Sequence, residues 1–204
     1  MLGVDISYHN GKVDFKTLKR NNVEFVIVRA GYGQRTIDDT FERNVYQALE
    51  EGMKVGSYWY SYALSPNEAK QEAISFREAI DKTGALFEMP VWFDMEDADC
   101  YKKRNGFLFS KSNITAVCKV FLDNIGLDCG VYASESWFYD LIDWKSLGCA
   151  IWNASFTYPD SIGGYMWQFT EKWNLGGKLF DGNVKYDEKH KFGLTKEDIM
   201  YGNV

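Results

Sequence analysis

The sequence predicts an α/β fold, an irregular (β/α) TIM-like barrel of about five β/α units followed by three strands with little helix. Three observations carry that prediction. Short, nearly continuous apolar runs such as Phe25-Val26-Ile27-Val28 and Val91-Trp92-Phe93 read as strands buried on both faces. Up to about residue 145 these runs alternate with stretches of helical spacing, the pattern of a parallel sheet. Beyond that point strands follow one another closely, and eight strands in all would close a barrel. An open doubly wound sheet is the structural alternative. It would show a glycine-rich phosphate loop after its first strand, which Asp5-Ile6-Ser7-Tyr8-His9-Asn10-Gly11 is not.

The elements follow in order. Leu2 to Ile6 is a short apolar strand that carries Asp5, and Ser7 to Gly11 is a polar turn. Asp14 caps a short helix whose apolar positions are Phe15, Leu18 and Val23. Glu24 to Ala30 is the second strand, with Gly31-Tyr32-Gly33 as the loop beyond it. Phe41 to Glu51 is helical and closed by Gly52. Met53 to Ala63 is the third strand, ending in Tyr58-Trp59-Tyr60-Ser61-Tyr62. Ser65-Pro66 opens a helix to about Thr83, with Ala69, Ala73, Phe76 and Ile80 on one face. After the strand at Val91, Asn105 to Ser112 is a loop and Ile114 to Asn124 a helix. Cys129 to Tyr132 is a strand, and Ser134 to Ile142 a short helix. Cys149 to Trp152, Tyr165 to Phe169 and Gly182 to Tyr186 are the last three strands, and a polar tail follows. Without linker, low-complexity tract or short repeat, residues 1–204 read as a single domain, peripheral after about residue 190.

Composition narrows the function. A net charge of −6 argues against a nucleic-acid partner, since phosphate binding wants a surplus of Lys and Arg. Aromatics at 17% suit a surface on which sugar rings stack. The four cysteines show no Cys-x-x-Cys spacing and only two histidines accompany them, so neither a metal nor another cofactor is expected. No run approaches the ~20 apolar residues of a membrane span, so no membrane insertion is expected. The N-terminus lacks a basic segment followed by an apolar run; cytoplasmic synthesis without a signal peptide is the expectation.

Chemistry gathers in Pro90-Val91-Trp92-Phe93-Asp94-Met95-Glu96-Asp97, an apolar strand running into acids. Side chains alternate along a strand, so Asp94 and Glu96 point the same way, roughly 7 Å apart. Carboxyl groups so close cannot both ionise freely, which divides them into an acid and a charged partner. In a parallel barrel the C-terminal strand ends share one mouth. Asp5, Asp94 and Glu96 would meet there with Tyr60 or Tyr62, Tyr132, Trp167 and Gln168, and Asp187 lies past the last strand. Tyr32, in the loop after the second strand, is a further candidate for the aromatic wall. Acids around an aromatic cleft suggest glycosidic-bond chemistry.

Taken together, Gly3-Val4-Asp5-Ile6-Ser7, Phe25-Val26-Ile27-Val28-Arg29-Ala30, Asp39 with Phe41 and Asn44, and the run Gly56 to Ala63 resemble a known family. Asp94-Met95-Glu96, Gly130-Val131-Tyr132-Ala133-Ser134 with Trp137, Ile151-Trp152 with Ala154, and Trp167-Gln168-Phe169 extend the match in the family's order. The family is glycoside hydrolase family 25, the Chalaropsis-type lysozymes of phage and bacteria. The resemblance implies an irregular barrel that hydrolyses the β-1,4 bond between N-acetylmuramic acid and N-acetylglucosamine. Bacterial peptidoglycan strands would be the partner. By this resemblance Glu96 is the general acid, Asp94 the neighbouring stabilising carboxylate and Asp5 the first-strand acid. It also implies retention, through either the substrate's acetamido oxygen or a carboxylate nucleophile. The chain departs from the family where Gly-x-Val-Asp is usual: Gly182-Asn183-Val184 precedes Lys185, and Asp187 is the candidate substitute. Such enzymes often carry a separate wall-binding domain, reach the wall after holin-type release, or ride in a phage tail. The rival enzymatic reading is a family 18-like chitinase or endo-N-acetylglucosaminidase, disfavoured because Val91, Trp92 and Phe93 stand where that family places further acids. The rival of another class is a non-catalytic wall-binding module.

Overall fold

Strands that are apolar on both faces need cover on both, and the chain provides it by closing its sheet into a ring with helices outside. The computed structural model describes residues 1–187, 190 and 192–200. Its strands are β1 (Leu2–Ile6), β2 (Phe25–Tyr32), a two-residue β3 (Thr36–Ile37), β4 (Lys54–Tyr60), β5 (Val91–Asp94), β6 (Cys129–Ser134), β7 (Ile151–Ala154), β8 (Met166–Leu175) and β9 (Lys178–Lys185). The order β1-β9-β8-β7-β6-β5-β4-β2 is closed by pairing of β1 with β2, and β3 hangs on the edge of β2. The barrel expected from the sequence is present. Its last strand differs from a fully parallel ring, because β9 runs antiparallel to both β8 and β1.

Alternation along the strands sorts the core into two clusters. Phe25, Ile27, Met89, Trp92, Trp152 and Met166 fill the barrel, with Tyr58 and Tyr132 above them. Val26, Val28, Trp59, Phe93, Val131, Trp167 and Phe169 belong to the larger cluster between barrel and helices. Large rings fit inside only because glycines face them. A Cβ on Gly3 would stand 2.3 Å from the Phe25 ring, and one on Gly130 would stand 2.4 Å from the Trp92 ring.

Helices α1 (Phe15–Arg20), α2 (Phe41–Glu50), α3 (Pro66–Thr83) and α5 (Lys111–Ile125) start close to where the sequence places them. Asp14 accepts from Thr17 N, Ser65 from Glu68 N and Ser110 from Asn113 N, each satisfying an amide the helix leaves open. α3 and α5 lie side by side, and Phe93 of β5 stacks on Phe121 of α5 at 3.9 Å, which fixes the strand that ends in Asp94. Some boundaries differ from the expectation. β2 runs on through Gly31 to Tyr32, its pairing shifted between Arg29 and Gly31. A short helix α4 (Tyr101–Arg104) precedes the expected loop, and α6 (Glu135–Asp140) is followed by α7 (Trp144–Leu147). The polar tail contains α8 (Lys196–Met200), whose Ile199 is buried against the outer core.

Candidate active site

The site begins with β5. Its ladder continues past Asp94 on both sides, Ser61 N donating to Asp94 O at 3.0 Å and Met95 N to Tyr132 O at 2.9 Å. The extended backbone therefore turns Asp94 and then Glu96 to the barrel's mouth, as the period of two requires. Asp94 is buried and Glu96 half-buried, opening towards solvent.

Asp5 comes to the same mouth on β1, directly opposite Asp181 of β9. One Asp5 oxygen accepts from Gln168 Nε2 and from Asn183 Nδ2, both at 2.8 Å. The orientation of those amides is set one step further out. Tyr132 OH donates to Gln168 Oε1 at 2.9 Å, and Trp152 Nε1 to Asn183 Oδ1 at 2.8 Å. Each amide thus turns its NH₂ to the carboxylate.

Four carboxyl groups in one buried mouth repel, and all four are pushed upward. Burial raises Asp94 well above the usual carboxylate range, and the neighbouring charge of Glu96 adds to it. Burial also raises Glu96, opposed by its hydrogen bond with Asp94 and by the Lys102 charge. Burial and then the Asp5 charge push Asp181 up to about 8. Asp5 rises to about 6 by burial, restrained by Asn183 and Gln168. The cluster thus holds protons near neutrality, the condition for a carboxylic acid to donate one.

Beside the acids lies a hollow of about 470 Å³ lined by Tyr8, His9, Arg29, Tyr32, Tyr60, Tyr62, Ala98 and Asp99. Tyr32 and Tyr60 meet Tyr62 edge-on at 5.9 and 5.2 Å, and Tyr62 OH donates to Asp99 at 2.8 Å. Behind this wall Arg29 is ion-paired with Asp38 at 2.9 Å and faces the Tyr8 ring at 4.8 Å. Among the described residues no group of three or more His, Cys, Asp or Glu is arranged to hold a metal ion.

The structure brings together Asp5, Asp94, Glu96, Tyr132 and Gln168, with Tyr32, Tyr60 and Tyr62 in the adjoining wall. Two candidates lie elsewhere. Because Gln168 takes the inward position on β8, Trp167 faces the helix layer; it is 1% exposed, and its Nε1 donates to Ser155 O at 2.9 Å. Because β9 is antiparallel, its C-terminal end reaches the opposite end of the barrel. There Asp187 pairs with the N-terminal ammonium at 2.8 Å and accepts from His190 N at 2.9 Å. Lys185 lies at that far end too, its ammonium 4.9 Å from the Tyr165 ring centre, so the departure from Gly-x-Val-Asp falls outside the mouth. The acid that β9 supplies to the mouth is Asp181. Sequence reasoning missed it along with Asn183; the Gly176-Gly177 turn between two strands was the available signal for a hairpin and a reversed strand.

A family model described as "Glycosyl hydrolases family 25" matches residues 4–178. Among curated proteins, an autolytic lysozyme of Clostridium acetobutylicum is 26% identical over 194 residues; the match covers 92% of this chain and 55% of that protein. This chain therefore spans little more than half the length of the curated relative. Among solved structures, the CTP1L endolysin superposes with a TM-score of 0.78 at 24% identity, covering all of this chain and 70% of that one. The modular autolysin LytC from Streptococcus pneumoniae, solved with a synthetic peptidoglycan ligand, gives 0.81 at 24% identity, covering 91% and 46%. These structural likenesses establish a shared fold.

Proposed function

The chain belongs to glycosyl hydrolases family 25, and on that premise we propose that it is a lysozyme. The reaction is hydrolysis of the β-1,4 bond between N-acetylmuramic acid and N-acetylglucosamine in bacterial peptidoglycan. The observation that carries this reading is the neighbouring pair Asp94 and Glu96, both raised by burial, at the barrel's mouth beside a tyrosine-lined hollow. Glu96, the member open to solvent, is the general acid that protonates the leaving oxygen. In the free pair burial, and then the charge of Glu96, raise Asp94 well above the usual carboxylate range. A hydrogen bond from the substrate's acetamido N–H to Asp94 favours its charged form and leaves the proton on Glu96. Asp94 then stabilises the positive charge that develops on the sugar.

Asp5 and Asp181 complete the ring of acids at the mouth, and Gln168, Tyr132 and Asn183 hold Asp5 in place. Tyr32, Tyr60 and Tyr62 form the wall against which sugar rings pack. Trp167 and Asp187 have no part in this assignment. The place of action is the cell wall, reached after release through a membrane lesion or as part of a virion.

The test is digestion of purified peptidoglycan by wild type and Glu96→Gln, then borohydride reduction and mass analysis of the new sugar ends. Muramitol ends are expected from wild type, with the variant folded yet slower by ~10²–10⁴-fold. Glucosaminitol ends would move the cut to the other bond. Binding to the wall without new ends from either protein would make this a binding module.

A further inference from the structure

Lys102 is a lysine with no exposed surface, on the short helix α4 just after the catalytic strand. Its ammonium donates to Glu96 O at 2.7 Å and to Ser61 O. Those two carbonyls follow β5 and β4, so one cation bridges the ends of neighbouring strands directly behind the acids. Asp97 fixes α4 in turn, accepting from Lys102 N at 2.7 Å and Lys103 N at 3.1 Å. Glu72 of α3, also fully buried, accepts from Tyr62 N at 2.8 Å, and its Oε2 has no hydrogen-bond partner among the described residues. The groups facing the ammonium are Glu72 on α3, Asp94 on β5, Glu96 and Asp97 beyond it, the Cys118 thiol on α5 and the Tyr60 ring on β4.

A buried cation is costly unless charge and hydrogen bonds oppose the loss of water, so its placement here calls for a use. We propose that Lys102, backed by Glu72, is a positioning residue for the acid pair. Its ammonium clamps the backbone of Glu96 to that of Ser61, and its charge sets the pH range in which Asp94 and Glu96 share a proton. The Lys102 bonds at Glu96 and Ser61 go to carbonyl oxygens, which leaves the Glu96 carboxyl free to meet substrate. Burial lowers Lys102 from its ordinary value, and the facing acids oppose that fall. Glu72 is pushed up to about 7 by burial, so in weak acid it is mostly neutral.

This inference rests on Glu96 being the acid, and the experiment separates the two claims. Lys102→Met and the double variant Lys102→Met/Glu72→Gln are compared with wild type on soluble glycan fragments, with circular dichroism to verify folding. The double variant leaves no unpaired buried charge, so it keeps the test open if the single one fails to fold. Both should lower kcat by about 10- to 100-fold with KM within about threefold, as misplacement of a reacting group does. Removing a positive charge disfavours the charged carboxylates, so both limbs of the pH–rate profile should move to higher pH by roughly one unit. The double variant keeps that displacement, because an unpaired buried Glu72 protonates in the single variant as well. A folded variant with lowered kcat and unmoved pH limits reduces Lys102 to scaffolding and overturns the proposal, as does wild-type kcat. Full turnover in Glu96→Gln instead removes the reading on which it stands.

Discussion

Asp181 and Asp187 belong to the same stretch of chain, yet β9 carries them to opposite ends of the barrel. Asp181 faces Asp5 and is held protonated to about pH 8, whereas Asp187 sits on the N-terminal ammonium and is held well below the usual carboxylate range. Their asparagine variants should therefore separate cleanly. Asp181→Asn should fold and lose roughly 10- to 100-fold in kcat, because it removes a proton-holding carboxyl that faces Asp5 in the mouth. Asp187→Asn should keep turnover and lose about 1 kcal/mol of stability near neutrality, the scale of one charge-assisted hydrogen bond. A carboxylate held low stabilises above its unfolded value near 4, and that contribution fades as pH falls through the folded value. The deficit of Asp187→Asn in melting temperature should accordingly shrink in strong acid. Equal activity loss in both variants would break the assignment of one acid to each end.

At the scale of elements, the strands rest on exchanges between glycines and rings, and Gly130 on β6 is one such exchange. A methyl there would stand 2.4 Å from the Trp92 ring and 2.5 Å from Ala150 O, with rigid partners on both sides. Gly130→Ala should cost about 1–3 kcal/mol by overpacking, read as a lowered midpoint in chemical denaturation. A variant as stable as wild type would mean that β5 and β6 can part without loss. Most of this framework was legible beforehand because apolar runs, Asp and Ser caps and Gly stops act locally. Asp5, Asp94 and Glu96 were legible for the same reason: strand period and a shared mouth suffice to gather them. The direction of β9 was not, since a run such as Gly182 to Tyr186 reads the same both ways along the chain. That ambiguity, with Lys185 standing at the usual Asp of Gly-x-Val-Asp, sent the search for a fourth acid to Asp187. Trp167 failed differently, because a Trp-Gln pair does not reveal which member faces inward until Asp5 claims the glutamine. Lys102 carried no sequence signal, as a lysine after an acidic run reads as a solvated charge.

Across the whole molecule, the acids of the mouth set the pH at which the fold is safest. Asp5 at about 6, Glu72 at about 7 and Asp181 at about 8 all bind protons in the folded state that the unfolded chain has already released near pH 4. A raised carboxylate contributes stability that is complete below its unfolded value and lost as pH rises through the folded one. Asp38 and Asp187, held low, work in the opposite sense and lose their contributions in acid. Stability should therefore be greatest at about pH 4–5, where both sets contribute, and fall steadily towards pH 8. Thermal melts of the folded chain from pH 3 to 9 test this directly, and Asp181→Asn supplies the control. That variant lacks the acid that titrates at about 8, so its melting temperature should exceed wild type at pH 8 and converge with it near pH 4. The cost of the acid cluster then belongs to the same group that assists the reaction, an exchange of stability for activity at the mouth. A wild-type melting temperature that stays level between pH 5 and 8 would mean the mouth is better solvated than its burial implies, and the protons assigned to it would have to be placed elsewhere.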